Sequence, residues 1–473
     1  MKKRKAIIET IKLFTLIILY YLVGPKDTFL YVLSLSLYNI FAACFKHITL
    51  TNSLRKISSN HTKLKLYQYL VLAISVIALL FLLIGICISD IINILLNIND
   101  ILLIFIAMGL TIITKPLVRI TTEYFENINN NSRYYILNDV YDILDNFLLL
   151  IIALFTFKVF KINSHTATAL LYLAKIIAAA IVIVFMYLIS SKKKNTESYP
   201  VEKINYWQET KKILVKDSYR SLIGIIKHSY YYISIIILYL ILSTRYAYAT
   251  DLITQNISFI YLFALGLINY LIYIIDEINK DLPDSININS KIFNNFKVIL
   301  PLTIIFCIIS PLSCKVIFNA PHYSIYLTMV NFMGIFILLY ELTFENINHK
   351  RIMYFSLFSG IIAKIVLIIP LINSFYRMGY NLIYGDIIST IIGLFISVII
   401  NTIYLKKINK NKENYFDRIL DVLYRNILLC IILILLQFII PIDAGNYFKS
   451  IGIMLVYLTI SAVFLKLKRK RRG

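Results

Sequence analysis

The chain repeats one pattern: a run of about twenty apolar residues, a short polar break, then another run. A membrane-spanning helix needs about 20 mostly apolar residues. Fourteen segments meet that length, near 6–23, 29–48, 66–89, 101–122, 135–157, 167–189, 217–242, 252–275, 296–318, 323–345, 352–373, 381–404, 419–440 and 447–465. Hydrocarbon offers the backbone no water, so such runs fold as helices that satisfy their own N–H and C=O groups. Composition agrees: 59% of residues are hydrophobic and 15% charged, against about 45–50% and about 25% in soluble domains. The expected fold class is an all-α integral membrane protein with about 14 transmembrane helices.

A formal charge of +23 raises nucleic acid as a partner. That reading requires the basic residues on one folded face, whereas here they sit in the breaks. Lys2 to Lys5, Arg55-Lys56 with Lys63 and Lys65, Arg133, Lys192 to Lys194 with Lys203, Lys211 and Lys212, Lys280 and Lys291, Lys350-Arg351, Lys406-Lys407 with Lys410 and Lys412, and Lys466 to Arg472 fall in alternate breaks. The positive-inside rule makes that face cytoplasmic, so the chain is expected in the cell membrane with both termini in the cytoplasm. The basic start and apolar run to Val23 look like a signal peptide but lack a small-x-small site before Gly24-Pro25, so they read as a retained first helix. The five cysteines lack metal spacing and read as buried small residues, and no metal or cofactor is expected. Most of the 36 tyrosines lie at segment ends, as interfacial anchors do.

Phe125-Glu126-Asn127-Ile128-Asn129 recurs as Phe344-Glu345-Asn346-Ile347-Asn348, 219 positions later. Each copy ends one apolar segment and precedes a basic residue and two further segments, the trace of a duplicated half. The copies are six segments apart, an even number, so both halves enter the membrane in the same sense. The expected organisation is an N-lobe at 1–190, a cytoplasmic linker at 191–216 holding Pro200 and Trp207, a C-lobe at 217–405, and two last helices with a basic tail at 406–473.

A charge at mid-bilayer costs about 2.5–3.5 kcal/mol, so it faces a partner or a water-filled space. Asp139, Asp142 and Asp145 are spaced to form one stripe of a helix. Asp145 lies about 15 Å beyond Tyr135 at about 1.5 Å per residue. Lys364 follows Asp145 by the same 219 positions, placing the two at corresponding depths. Lys175 lies within the sixth segment, and Arg220 and Lys227 share a face of the seventh. The aspartates suit ion pairs with Lys175 or Lys364, or a coupling-cation site. Lys227 and Lys364 have no obvious local carboxylate and suit an anion-attracting cavity. Lys46 sits near a cytoplasmic helix end. Glu126 and Glu345 suit ties between helix ends and loops.

Metalloprotease, phosphate-loop and nucleophile-elbow motifs are absent from the sequence, and the outer breaks are mostly too short to hold an active site. A membrane glycan-processing enzyme therefore ranks low, and the chain is expected not to be an enzyme.

Arg119 to Leu150, containing Glu123-Tyr124-Phe125-Glu126-Asn127, resembles the region around the Arg-Gly-Tyr-Phe-Gln-Gly signature of the polysaccharide-biosynthesis flippases. These include the stage V sporulation protein B-like and lipid II flippase groups of the multidrug/oligosaccharidyl-lipid/polysaccharide exporter superfamily. Thr122-Glu123 stand where the signature has Arg-Gly. Leu37-Tyr38-Asn39 with Ile57-Ser58 is similar to the family's second helix, and Ile361 to Leu405, with Lys364, Pro370, Gly379-Tyr380 and Ser389 to Gly393, to its eleventh and twelfth. The resemblance implies a MATE-like arrangement of two six-helix lobes around a central cavity plus two C-terminal helices. It implies translocation of a lipid-linked oligosaccharide or polysaccharide precursor on polyprenyl diphosphate by alternating access. Lys227, Lys364, Arg220 and Lys46 then attract the diphosphate, while Asp139, Asp142, Asp145 and Lys175 form ion pairs or bind a coupling ion. The expected partners are the lipid-linked glycan, membrane lipids and a coupling cation or the membrane potential, acting on a monomer. The alternative from the same fold is a cation-coupled multidrug antiporter.

Overall fold

The computed structural model describes residues 2–45, 48–57, 59–96, 102–129, 134–190, 205–245, 257–280, 323–345, 347 and 349–408, with most of 300–318. Among these residues every regular element is helical. Helix α1 spans Lys2–Val23, and α2 spans Pro25–Ala42, prolonged by a tight turn at Ala43–Phe45. Gly24 between them takes φ 89°, a left-handed value a side chain resists, and Pro25 opens α2 where its missing N–H has no helical partner to lose.

The short α3 (Thr51–Leu54) leads to α4 (Asn60–Leu96). One span is built from two helices, α5 (Leu102–Thr111) and α6 (Thr114–Asn129). Pro116 has no N–H to bond the Ile112 carbonyl four residues earlier, and its ring crowds that carbonyl, which accounts for the interruption at Ile112-Ile113. Next come α7 (Tyr135–Ala153), running into a π-helical turn at Leu154–Val159, and α8 (Ser164–Leu171) with α9 (Leu173–Ser190). The remaining elements are α10 (Tyr206–Arg245), α11 (Ser258–Lys280), α12 (Ser324–Glu345), α13 (Lys350–Arg377) and α14 (Ile383–Ile408).

Among the described residues, eight helical spans are long and apolar enough to cross a membrane, and they coincide with segments two to six and ten to twelve of the sequence. Several of these helices expose large apolar side chains. Helix α4 buries Leu70 and Ile74 while exposing Leu79, Leu83 and Ile84, and α13 buries Ile368 while exposing Ile362, Ile365 and Val366. In water such faces demand cover, whereas in a bilayer they meet lipid. The chain is a multi-pass, all-α membrane protein. The thirteenth and fourteenth segments lie outside the described residues.

Two compact units divide the chain, Met1–Phe259 and Ile260–Gly473. Helix α10 groups with the first unit, where it packs on α2 and α4. Residues 206–216, assigned by composition to the linker, already belong to that helix. In the first unit, Leu19, Val23, Tyr31, Leu149, Ala153, Leu171 and Ala174 join α1, α2, α7, α8 and α9 in one core. Asp27 accepts a hydrogen bond from Ser164 Oγ at 2.6 Å, tying the first turn of α2 to the start of α8.

In the second unit, α13 and α14 form a hairpin at very close approach. A Cβ added to Gly360 would sit 2.7 Å from Gly393 O and against Ser397 Oγ, and one on Gly385 would sit 2.6 Å from the Ile372 nitrogen. Small residues allow two backbones this near in lipid, where packing rather than hydrophobic exclusion holds helices together. Ser397 Oγ also donates to Ser356 O at 2.7 Å.

The repeat offset survives in the helix boundaries. Adding 219 to the first residue of α8, Ser164, gives Ile383, the first residue of α14, and α7 with its π turn maps onto α13 within a few residues. The repeated pentapeptide lies at the end of α6, and its second copy begins at the end of α12. Phe125 and Phe344 are both buried there.

Candidate functional site

Charged side chains gather at the middle of several spans in the first unit. Lys12 lies in α1, six residues into the apolar run 6–23. Lys115 follows the break in the Leu102–Asn129 span, thirteen residues from one end and fourteen from the other. Both meet Asp142 of α7. Lys115 Nζ donates to both carboxylate oxygens, at 2.7 and 3.1 Å, and Lys12 Nζ lies 3.7 Å from Oδ2. Lys12 also donates to Glu9 at 2.7 Å, one helical turn earlier. The side chain of Lys115 is 58% exposed and that of Asp142 19%.

Asp145, one turn further along α7, takes a different partner. Lys175 Nζ of α9 donates to Asp145 Oδ2 at 2.7 Å, with 15% and 14% of the two side chains exposed. The ammonium also lies 5.2 Å from the ring centre of Tyr38, whose face attracts cations. Tyrosines line the surroundings: Tyr141 Oη lies 3.0 Å from Thr114 Oγ1, and Tyr172 Oη donates to Ser34 Oγ at 2.9 Å. The geometry of the aspartate stripe is thus that of ion pairs, with Asp142 and Asp145 held by separate lysines. Asp139, at the start of the stripe, is half-buried.

In the second unit, Lys364 of α13 lies 3.8 Å from Asp386 of α14, with 1% and 3% of their side chains exposed. The expectation that Lys364 has no local carboxylate is corrected here. The two residues are separated in sequence by the hairpin turn, and the close packing of α13 on α14 brings them together. Ser389 and Thr390 hydroxyls donate to the Asp386 carbonyl at 2.7 and 2.8 Å, which fixes that turn of α14.

A fourth constellation lies around the turn after α2. The N–H groups of Leu50 and Thr51 donate to Glu123 Oε2 of α6, at 2.6 and 3.0 Å. Arg119 Nη2, one turn earlier, donates to Phe45 O at 3.0 Å and to Ile48 O. An acid and a base on one helix face therefore bind the donors and acceptors of the same turn. Glu123 is 5% exposed and stands where the resembled signature has glycine.

Lys227 is half-buried on α10 beside His228, whose ring stacks on Tyr232 with centroids 6.0 Å apart. Lys46 and the side chain of Arg220 lie outside the described residues. Asp386, Glu123, Lys12 and Lys115 are absent from the candidates drawn from sequence. Their signal was present, since each is an ionisable residue inside or at the edge of an apolar segment. Among the described residues, no group of three or more His, Cys, Asp or Glu is placed to hold a metal.

No family profile matches the chain, and no curated protein matches it in sequence. Solved structures do match in fold. The lipid II flippase MurJ in its inward closed conformation aligns with a TM-score of 0.61 at 14% identity, covering 99% of this chain and 98% of that one. An inward-facing multidrug resistance MATE family transporter of the MOP superfamily aligns at 0.50 with 10% identity, covering 84% of this chain and 94% of that one. The fold of this chain is the one shared by these two transporters.

Proposed function

We propose that the chain is a flippase or exporter that carries a lipid-linked oligosaccharide or polysaccharide precursor, on polyprenyl diphosphate, across the cell membrane by alternating access. The observation that carries the reading is a fold matched over nearly the whole length of a lipid II flippase, with lysines set in the middle of its spans. A diphosphate is a concentrated anion, and ammonium groups in a low-dielectric setting attract it far more strongly than in water. Lys227, with Arg220 and Lys46, supplies further positive charge. Lys364 is enclosed with Asp386 in the conformation described and reaches substrate only when that pair opens. No bond is made or broken, so the work is binding, exclusion of lipid and release.

The antiporter alternative rests on carboxylates open to a coupling cation. In the first unit, ammonium groups already occupy Asp142 and Asp145 at 2.7 Å, which supports the anion-carrying reading. The reading is tested in cells by deleting the gene and measuring polyprenyl-diphosphate sugar and exported glycan. The expected result is accumulation of the lipid-linked precursor with loss of the exported polymer. Unchanged levels of both, with gained sensitivity to cationic drugs, contradict it.

A further inference from the structure

From the cluster around Asp142 we infer a diphosphate-binding site in which Asp142 is a built-in competitor, holding Lys115 and Lys12 until the anionic group displaces it. The inference rests on the proposed function for its substrate class. Its own basis is the geometry of the first unit. At about 1.5 Å per residue, Lys12, Lys115 and Asp142 each lie about 10 Å inside the cytoplasmic ends of the apolar runs 6–23, 101–122 and 135–157. A lysine against lipid costs about 2.5–3.5 kcal/mol at the bilayer centre and less towards the interface. Yet the Lys115 side chain is 58% exposed and that of Lys12 32%. Two ammonium groups so exposed beside a carboxylate are better solvated by water than by lipid, so the cluster on α1, α6 and α7 reads as a wet face in the cytoplasmic half of the membrane.

The chemistry of that face suits a phosphoryl group. Lys115 reaches both oxygens of Asp142 at 2.7 and 3.1 Å, and Lys12 lies 3.7 Å from the second oxygen. Two ammonium groups thus flank one carboxylate. A phosphoryl group offers a similar oxygen spacing and more charge, so it takes the carboxylate's place with little rearrangement. Glu9, bound to Lys12 at 2.7 Å, keeps the unliganded cluster neutral. The consequence is a site that is electrically quiet when empty and cationic towards substrate only after Asp142 releases its lysines. Such a carboxylate weakens binding and favours release, as transport requires.

The test is equilibrium binding of farnesyl diphosphate and of inorganic pyrophosphate to the purified full chain in detergent, in parallel with a vesicle flipping assay. Asp142→Asn is expected to tighten farnesyl diphosphate binding about threefold to fivefold, the worth of a partly exposed pair. Lys115→Ala is expected to weaken it about tenfold or more, with Lys115→Arg restoring most of it. Farnesyl diphosphate binding more tightly than pyrophosphate assigns the site to a lipid-linked group, and equal affinities assign it to a free diphosphate. A structural ion pair predicts instead that Asp142→Asn and Lys115→Ala shift the melting temperature alike and leave binding unchanged, or weaken it alike; either result overturns the inference. Tightened binding in Asp142→Asn without flipping by the wild-type chain upholds the site and rejects the flippase. Flipping by a wild-type chain that binds neither probe upholds the flippase and rejects the site.

Discussion

Lys364 Nζ lies 3.8 Å from Asp386 Oδ1 with both side chains almost wholly enclosed, and the pair reverses the one in the first unit. There the acid, Asp145, sits on the first helix of the hairpin and the base, Lys175, on the second. Lys364 occupies the position 219 residues after Asp145, so each hairpin carries an ion pair with acid and base exchanged, at 2.7 Å in the first and 3.8 Å in the second. Removing one partner of a buried pair leaves an uncompensated charge, at a cost of about 3–5 kcal/mol. Lys364→Ala is expected to lower the melting temperature of the detergent-solubilised protein more than the double variant Lys364→Met with Asp386→Leu. Equal losses in the two proteins count against a buried pair.

Gly360 has no room for a methyl group, given Gly393 O at 2.7 Å from an ideal Cβ and Ser397 Oγ closer still. Gly360→Ala is expected to force α13 away from α14 and destabilise the second unit by about 1–3 kcal/mol, the usual range for overpacking. Thermal unfolding in detergent reads this directly. Gly379, at φ 73° with nothing within 4 Å of its Cβ, makes the contrast: substitution there meets backbone strain rather than a clash.

Glu123 and Arg119 together hold the turn between α2 and α3. Glu123→Gln keeps the shape but removes the charge from two backbone hydrogen bonds, and charged bonds contribute about 1.5–3 kcal/mol against about 0.5–1.5 for neutral ones. Hydrogen exchange at Leu50 and Thr51 is expected to accelerate in Glu123→Gln and further in Glu123→Ala. Protection unchanged in both variants rules out the clamp.

Much of the fold was legible because hydrocarbon imposes one solution on a twenty-residue apolar run. The eight crossing helices fall where hydropathy puts them, and the pentapeptide echo predicted the offset that α8 and α14 keep to the residue. The grouping of α10 was less visible. Its charged first half reads as linker, while its packing on α2 and α4 is a tertiary fact. At the site, the Asp142 and Asp145 stripe showed through helical spacing, but its partners did not. Lys115 and Lys175 lie 27 and 30 positions from their carboxylates, on other helices. The break that sets Lys115 in place follows from Pro116, a residue whose effect depends on where in the span it falls. Asp386 escaped notice because the hairpin that joins it to Lys364 is closed by glycine contacts that composition does not display.

The most direct test is flipping of a fluorescent short-chain polyprenyl-diphosphate sugar in vesicles containing the purified protein, read as loss of protection from a membrane-impermeant quencher. The wild-type chain is expected to make the inner-leaflet pool accessible faster than protein-free vesicles, with Lys115→Ala slowed about tenfold or more. Protection identical in protein-containing and protein-free vesicles, under an imposed membrane potential and cation gradients of either sign, contradicts the assignment.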